Sequence, residues 1–542
     1  MQPAIRRVLH TVLAAAVGTF GSSAACFMPG AAAAAAVLQP PPPSPVETDA
    51  PANGFVFAVH RSTTSPEHVS APEPLRITNA SIPTAAWTAS VSEPWIVVSP
   101  ASGTSPAIAT VSLNPAGVAV LTRGFYVGFI SLVTPSAPTA PPRVVRVVLQ
   151  ITDPTSITVP PIGALDAPAN NAVGLSGAVP VGGWAADDVG VARVLIFRNA
   201  VGGEPPGEIF LGDGTRVRGA RPDVVSGIGA PGVTSAGWGL MVLSNVLPPN
   251  GNGTFTLSAY AEDVEGNRTL LGRTTVTFDN TGSILPFGTI DIPGQGATVS
   301  GMLNNQGWIL AQPGRLMPFD GSTIRLFIDG VAQPNMAAYG FPRPDVAALF
   351  PFPTYANVNG PAAQFTFDTR VFPDGLHTIV WTVVDNLGAV QGIGSRYFNI
   401  RNQAASQAIG AASVEARSAS ELRTVRQAPA FVWERIGFDA DRWSLRWSGT
   451  EDVTEIQHGR GERLEVTLQN WWSQGCGPYA AYLTIGDVAG PLPPGASFDA
   501  DAAVLTWVPP VEFSGTFDFT FVRRVCGGGE ERIPLRITIS PR

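Results

Sequence analysis

The tetrapeptide Arg-Pro-Asp-Val occurs twice in this chain of 542 residues, at 221–224 and again 122 residues later at 343–346. Other short patterns keep their order around it at nearly the same offset. A pattern that repeats in this way indicates a duplicated domain of about 120 residues. The other paired patterns are Asp166-x-Pro168 and Asp291-x-Pro293, Ser176-Gly177 and Ser300-Gly301, Gly183-Trp184 and Gly307-Trp308, and Asp263-x-x-Gly266 and Asp385-x-x-Gly388.

The composition favours an all-β chain of several domains. Glycine (58) and proline (51) make up about a fifth of the residues, and both mark turns and are disfavoured inside helices. The length predicts about three or four domains. A net charge of -8 without a basic stripe argues against a nucleic-acid partner.

The N-terminus predicts export. Arg6-Arg7, an apolar stretch over 8–20 and the small residues Ser23-Ala24-Ala25 form the pattern of a signal peptide over residues 1–25. Polar residues interrupt the apolar stretch, so we expect no transmembrane span. The expected location is secreted or on the cell surface, with a periplasmic or outer-membrane lipoprotein as the alternative.

Residues 26–53 are rich in alanine and then in proline, which predicts an extended tether without a core. Cys26 follows the small residues directly and so resembles the lipid-carrying cysteine of bacterial lipoproteins. The residue three places before it is Ser23, where that family usually has leucine. Cleavage to a free chain is the favoured interpretation, and a lipid anchor stays open.

The first folded unit is predicted over 54–153, where apolar residues alternate as in β-strands. Trp87, Pro94-Trp95-Ile96, Ser102-Gly103-Thr104 and Gly124-x-Tyr126-x-Gly128 follow in an order that resembles the BACON domain, a bacterial immunoglobulin-like module. That family implies a β-sandwich and suspected carbohydrate binding. We expect Trp87 and Trp95 in the core, because large aromatics dominate the cores of small sandwiches.

The duplicated units are predicted over 157–280 and 284–400, and they resemble bacterial immunoglobulin-like domains of surface proteins. Each has a long segment rich in Gly and Pro, at 202–250 and 332–361, which contains the Arg-Pro-Asp-Val motif. We expect Arg221 with Asp223, and Arg343 with Asp345, to anchor these segments. The alternative is that the same four residues present a ligand-binding surface.

Residues 401–428 are predicted to be a linker, and 429–542 the last unit. The order Leu492-Pro493-Pro494-Gly495, Leu505-Thr506-Trp507 and Gly515-Thr516-Phe517 resembles the immunoglobulin-like or cadherin-like domains of bacterial surface proteins. The predicted fold is therefore all-β, with tandem immunoglobulin-like β-sandwiches after a signal peptide and a Pro-rich linker.

Cys476 and Cys526 are expected to form a disulfide in the last unit, stabilising it by about 2–4 kcal/mol in an oxidising compartment. Neither has the CxxC partner or nearby histidine of a zinc site.

Asp263, Glu265 and Asn267 place oxygen ligands at alternate positions of a turn, as calcium loops do. The favoured interpretation is a hairpin turn, for which Asp, Gly and Asn supply the backbone conformations. We therefore expect no cofactor and leave calcium as the alternative.

Half of the twelve tryptophans lie in the last unit. If Trp471 and Trp472 share a strand, they point to opposite faces, and a core on one side hides only one of them. The other, with Tyr479 and Tyr482, is the predicted binding platform, unless a neighbouring domain covers it.

No HExxH, GxSxG or Walker motif occurs, so no enzyme is predicted. We expect a non-catalytic surface or secreted protein whose modules bind a polysaccharide or a surface protein. The alternatives are a structural spacer in the envelope and, more distantly, a glycan hydrolase with two carboxylates.

Overall fold

The computed structural model describes residues 44–61, 67–82, 84–153, 159–402, 416–437, 443–448, 453–459, 461–469 and 477–540. The prediction of an all-β fold is confirmed: the described residues form β-sandwiches in tandem, with only short helical turns between strands. No helix among these residues combines the length and apolar character needed to cross a membrane.

The first sandwich packs a sheet of order β1-β4-β8-β6 against one of order β3-β2-β10-β9-β5-β7. Trp87 and Trp95 are both buried between them, in the core of the unit. Its elements are β1 (Val46–Thr48), β2 (Phe55–His60), β3 (His68–Val69), β4 (Glu73–Asn79), β5 (Ala86–Val91), β6 (Ile96–Ser99), β7 (Ser102–Thr104), β8 (Ala107–Leu113), α1 (Pro115–Ala119), β9 (Gly124–Val133) and β10 (Arg143–Thr152).

Strand β1 falls inside the segment predicted to be a tether. It pairs antiparallel with β4, and Val46 is buried in the core of the first sandwich. Residues 46–48 of the tether predicted over 26–53 therefore belong to the first sandwich. The sequence did not indicate this strand, because Val-Glu-Thr is too short for its β character to stand out beside so many prolines.

The first repeat forms one continuous path of strands, β11-β13-β16-β15-β14-β17-β18-β12, which closes around its own core. Its elements are β11 (Ile162–Ala167), β12 (Ala172–Leu175), β13 (Ala178–Ala186), β14 (Val191–Asn199), β15 (Glu208–Arg216), α2 (Pro222–Gly227), 3-10 turns at Val233–Ser235 and Ser244–Val246, β16 (Gly237–Leu243), β17 (Gly253–Asp263) and β18 (Arg268–Phe278).

The second repeat has sheets of order β19-β21-β25-β24 and β20-β27-β26-β22-β23. Its elements are β19 (Phe287–Ile292), β20 (Ala297–Val299), β21 (Met302–Leu310), β22 (Ile324–Ile328), β23 (Val331–Ala332), β24 (Ala338–Phe341), α3 (Pro344–Leu349), β25 (Ala362–Asp368), a 3-10 turn at Thr369–Val371, β26 (Gly375–Val384) and β27 (Val390–Ile400).

The two repeats share their topology. In each, the first strand pairs antiparallel with the third, as β11 with β13 and β19 with β21. In each, the second strand runs parallel to the final one, as β12 to β18 and β20 to β27. The long segments rich in Gly and Pro, 202–250 and 332–361, contain strands of the sheets, β15 and β16 in the first repeat and β24 in the second.

The last sandwich has sheets of order β28-β35-β34-β38-β39-β29, with β32 also on β39, and β31-β30-β33-β37-β36. Trp507 lies fully buried in the core between them. Its elements are β28 (Arg417–Ser418), α4 (Ala419–Thr424), β29 (Arg426–Gln427), β30 (Ala430–Ile436), β31 (Trp443–Ser448), β32 (Thr454–Gly459), β33 (Leu464–Gln469), β34 (Ala480–Ile485), β35 (Val488–Gly490), β36 (Ala496–Asp499), β37 (Val504–Trp507), β38 (Gly515–Arg524) and β39 (Glu530–Ser540).

The C-terminal part of the predicted linker belongs to this sandwich. β28 pairs with β35, β29 pairs with β39, and α4 lies between them with Ser418 accepting a hydrogen bond from the Glu421 backbone N–H at its start. Residues 403–415 lie outside the described part of the chain.

Polar contacts join the units to one another. Arg218 of the first repeat pairs with Glu73 of the first sandwich at 2.8 Å. The last sandwich contacts the first repeat through the Ser514 backbone N–H, which donates to the Ala220 carbonyl at 3.0 Å. It contacts the second repeat through the Ser497 hydroxyl, which donates to the Asp329 carbonyl at 2.5 Å.

Candidate functional site

Two neighbouring strands of the last sandwich carry a row of apolar side chains on their outer surface. We call it the aromatic face and define it as Phe431 and Trp433 on β30 with Trp443, Leu445 and Trp447 on β31. β31 is the edge strand of its sheet, and β30 is next to it. Trp443 and Trp447 are 44% and 53% exposed. Exposed aromatic residues clustered in this way mark binding surfaces.

Strand register brings the five side chains together. Phe431 lies opposite Trp447, and Trp433 lies opposite Leu445, so all of them project from the same side of the sheet. Phe431 and Trp447 meet edge to face, with ring centroids 5.1 Å apart. The result is a flat apolar row along the edge of the sandwich.

Polar groups border the row. The guanidinium of Arg435 lies 5.5 Å from the ring centroid of Trp443, within the range of a cation–π contact. The Trp433 indole N–H donates to Gln469 Oε1 at 3.0 Å. Glu465 and Thr467 follow on β33, opposite Arg435 and Trp433. Hydrogen-bonding groups therefore stand beside the apolar row.

An ion pair between buried Glu434 and the partly exposed Arg446 accompanies the outward orientation of the indoles of β31. Glu434 is buried on the inner side of β30, and Arg446 of β31 donates to it at 2.6 Å. A buried carboxylate without a charged partner is costly. Since alternate residues of a strand point to opposite faces, turning Arg446 towards Glu434 turns Trp443 and Trp447 away from the core.

The residues predicted as a binding platform do not form one in the described part of the chain. Trp471 and Trp472 lie outside the described residues. Tyr479 and Tyr482 are only 7% and 6% exposed, so neither ring forms an exposed stacking platform. Tyr479 packs in the core, and burial raises its pKa to about 12. Tyr482 lies under Leu422 of α4.

The alternation in Trp443-Ser444-Leu445-Arg446-Trp447 is the signal that would have located the aromatic face. It predicts a strand with one apolar side. It does not reveal which side faces the core, because the deciding contact, between Glu434 and Arg446, joins two strands.

The predicted disulfide stays a prediction, because Cys476 lies outside the described residues. Cys526 lies in the exposed turn between β38 and β39. Cys26, the possible lipid site, also lies outside the described residues.

The Arg-Pro-Asp-Val motifs form equivalent ion-pair networks in the two repeats. Arg221 donates to Asp223 through Nε at 2.9 Å and to Asp166 of β11 through Nη1 at 2.6 Å. Arg343 bonds Asp345 in the same way and reaches Asp291 of β19 at 2.5 Å. Each arginine thus ties the start of a short helix to the first strand of its own repeat.

Asp263 accepts hydrogen bonds within its own turn. Its Oδ1 accepts from the backbone N–H groups of Glu265 and Asn267, both at 2.8 Å, and its Oδ2 accepts from the Asn267 side chain at 2.7 Å. This is the pattern of a hairpin turn stabilised by its first residue. Among the described residues, no three His, Cys, Asp or Glu side chains are arranged to hold a metal ion.

Glu265 instead faces the first sandwich. Its Oε1 lies 2.6 Å from His60 Nδ1, and its side chain is almost fully buried. Burial, together with the nearby carboxylates of Asp188, Asp263 and Asp187, raises the pKa of Glu265 to about 7. Burial also raises the pKa of Asp187 to about 6. This cluster lies in the contact between two units, with none of the openness of a catalytic cleft.

A cavity of about 100 Å³ lies where the two repeats meet the last sandwich, lined by Met241, Arg396, Tyr397 and Glu512 among others. Burial, with Glu512 nearby, raises the pKa of Tyr397 well above its usual value. Such a volume has room for a few water molecules but not for a sugar chain.

Comparisons with known proteins assign no family. No family model matches the chain, and no curated protein matches it. Solved structures match at low similarity. Fibronectin(III)-like modules of Clostridium thermocellum CbhA are 12% identical, over 45% of this chain and 96% of theirs, with a TM-score of 0.15.

Two further matches extend over most of the chain. A tetra-tandem repeat from the extending region of a large adhesion protein is 12% identical, over 90% of this chain and 100% of its own, with a TM-score of 0.16. Sidekick-1 immunoglobulin domains 1–4 are 11% identical, over 91% of this chain and 99% of theirs, with a TM-score of 0.20. At these TM-scores the matches assign no function.

Proposed function

We propose that this chain is a non-catalytic, exported protein that binds polysaccharide at the aromatic face of its last sandwich. The observation that carries the proposal is the exposure of Trp443, Leu445 and Trp447 on one side of an edge strand. Soluble proteins seldom expose several large apolar side chains together unless the surface binds something.

The chemistry of the face suits sugars. The C–H groups of a pyranose ring pack on an indole, while its hydroxyl groups need hydrogen-bonding partners. Arg435, Glu465 and Gln469 beside the row provide charged and amide groups for them. Trp443 and Trp447 are four residues apart on one strand, or about 13 Å, which is longer than one sugar ring. The expected ligand is therefore a chain of several sugars.

The test is retention of the purified protein on insoluble or immobilised cellulose, xylan, mannan, chitin and α-glucan, beside a Trp443→Ala/Trp447→Ala variant. We expect the wild type to bind at least one of these polymers and the variant to lose at least tenfold in affinity, about 1.4 kcal/mol. Phe352→Ala is the matched control, since it removes an aromatic side chain of the second repeat that is at least as exposed as the two tryptophans.

Equal binding by the double variant would refute the aromatic face as the site. Failure of a well-folded wild type to bind any of the polymers, and any further glycan on an array, would favour adhesion to a surface protein or the structural-spacer alternative.

The hydrolase alternative has less support. Both glycosidase mechanisms need two carboxyl groups that flank a bound sugar. The clustered carboxylates of Asp187, Asp263 and Glu265 are buried, and Glu265 faces His60 of the first sandwich, so a sugar has no access to them. Their raised pKa values follow from burial in that contact and do not require catalysis.

A further inference from the structure

The first sandwich carries a second exposed apolar surface, unrelated to the aromatic face. Phe125, Val127, Phe129 and Val133 alternate along β9 and are between 39% and 62% exposed. Val144 of the neighbouring strand β10 is exposed beside them. We call these five residues the β9 face. The intervening residues of β9 point into the core, so the strand is apolar on both sides.

This face is continuous with an interface inside the chain. Across the same surface of the sheet, Val127 lies opposite Val148, and Val148 lies opposite Val56 of β2. Val56 is half-buried, and the first repeat comes close to it: a Cβ added at Gly229 would lie 3.9 Å from Val56 Cγ2. Gln150 of β10 also donates to Asp188 of the first repeat at 2.9 Å. One end of the sheet surface therefore packs against another β-sandwich, and the other end is open.

We propose that the β9 face packs against the β9 face of a second copy of this chain, forming a two-fold dimer. The surface it presents has few charges: Arg146 is the one charged residue among those of β9 and β10 that point outward. Its long side chain can carry the charge to the rim while its methylene groups stay on the apolar surface. A largely apolar sheet surface with a single charged residue can stack face to face on a second copy of itself across a two-fold axis.

The area of the β9 face determines the expected affinity of the dimer. β9 has ten residues and is about 33 Å long. β10 pairs with nine of them and β5 with four, so the face is about 10 Å wide over most of its length and about 14 Å wide at one end. Each copy then contributes roughly 380 Å², and the pair on the order of 760 Å², below the size of standard stable interfaces. We therefore expect a dimer that dissociates in the micromolar range. Such a dimer would carry two aromatic faces, although its existence does not depend on their function.

The test is sedimentation velocity of the purified protein from about 1 µM to about 500 µM. We expect the wild type to shift from monomer to dimer over this range, and Phe125→Glu/Phe129→Glu to weaken association at least tenfold. Ile108→Glu is the matched control, because Ile108 is equally exposed on β8 of the opposite sheet. It should associate as the wild type does.

A wild type that stays monomeric at every concentration would overturn the proposal. So would a dimer that persists unchanged in the Phe125/Phe129 variant, since that dimer would use another surface. Near-ultraviolet circular dichroism checks that the variants are folded. If the glutamates disturb the sandwich, Val127→Arg, which changes one smaller side chain at the centre of the face, replaces them. It should also weaken the dimer, and an unchanged dimer would likewise overturn the proposal.

Discussion

Phe431 and Trp447 pack edge to face, 5.1 Å apart, on the outer surface of the last sandwich. They lie opposite one another on β30 and β31, and Trp447 remains more than half exposed. Aromatic pairs of this kind usually stabilise a core. Here the pair forms part of a surface, so the described tryptophans of this unit fall into two groups, exposed and buried, with different expected roles.

Replacing tryptophans from the two groups should affect stability differently. Trp507 is fully buried and contacts Phe513, Phe517 and Phe519, so Trp507→Ala should destabilise the last sandwich by about 3–5 kcal/mol. Trp443→Ala should cost less than about 1 kcal/mol, since much of its ring is already in water. Chemical denaturation monitored in the last unit measures the loss of unfolding free energy in each variant. Similar losses in both variants would contradict the division into a buried and an exposed tryptophan.

The carboxylate cluster around Glu265 predicts that the stability of the folded protein depends on pH. Its pKa is raised from 4.5 to about 7 in the folded protein, so between these values the folded state keeps a proton that the unfolded state has lost. Stability contributed by this group should therefore fall as pH rises through that window, by up to an amount on the order of 3 kcal/mol.

Glu265→Gln removes the titration and keeps a hydrogen-bonding group near His60. Its melting temperature should fall less than that of the wild type between about pH 5 and about pH 8. Differential scanning calorimetry in matched buffers measures this. If the melting temperatures of the wild type and Glu265→Gln change with pH in parallel, Glu265 does not titrate in this way.

The two Arg-Pro-Asp-Val motifs offer an internal comparison. The Arg221 side chain is 7% exposed and the Arg343 side chain 29%, although both bond two aspartates. Removing one partner of a buried network costs more than removing a partly exposed one. Arg221→Ala should cost on the order of 2–3 kcal/mol and Arg343→Ala about 1 kcal/mol. Hydrogen exchange at α2 and α3 measures the local loss of stability in Arg221→Ala and Arg343→Ala, respectively. A larger loss at α3 than at α2 would contradict the prediction.

Close backbone approach between the first repeat and the last sandwich predicts a requirement for glycine. A Cβ at Gly239 would overlap Val511 Cγ2, so Gly239→Ala should loosen this contact. We expect faster hydrogen exchange at 511–514 and around β16. Gly202→Ala is the control, because a Cβ there meets nothing within 4 Å. Unchanged exchange in Gly239→Ala would show that the contact is not maintained in solution.

The repeats and the strands with clear alternation were predictable from the sequence, because each pattern depends on neighbours along the chain. β17 and β18 are examples, and the paired landmarks of the two repeats fall at equivalent places. β15 was missed because its glycines resemble a loop; Gly212 and Gly214 stand within the strand.

The aromatic face lies in the unit for which the sequence predicted a binding platform, but it consists of other residues. Tyr482 was expected at the surface, and α4, from the predicted linker, brings Leu422 over it. Trp443 and Trp447 face outward because Arg446 bonds Glu434 on the other strand. Both outcomes depend on contacts between elements that are distant in sequence or paired across a sheet, which periodicity along one strand does not reveal.

Polysaccharide binding at the aromatic face can be observed by fluorine NMR of the protein labelled with 5-fluorotryptophan, titrated with an oligosaccharide of the polymer that retains the protein. Each signal is assigned from a single Trp→Phe variant. We expect the Trp443 and Trp447 signals to shift on titration while those of the buried Trp381 and Trp507 stay in place. Saturable binding that leaves the Trp443 and Trp447 signals unchanged would contradict it.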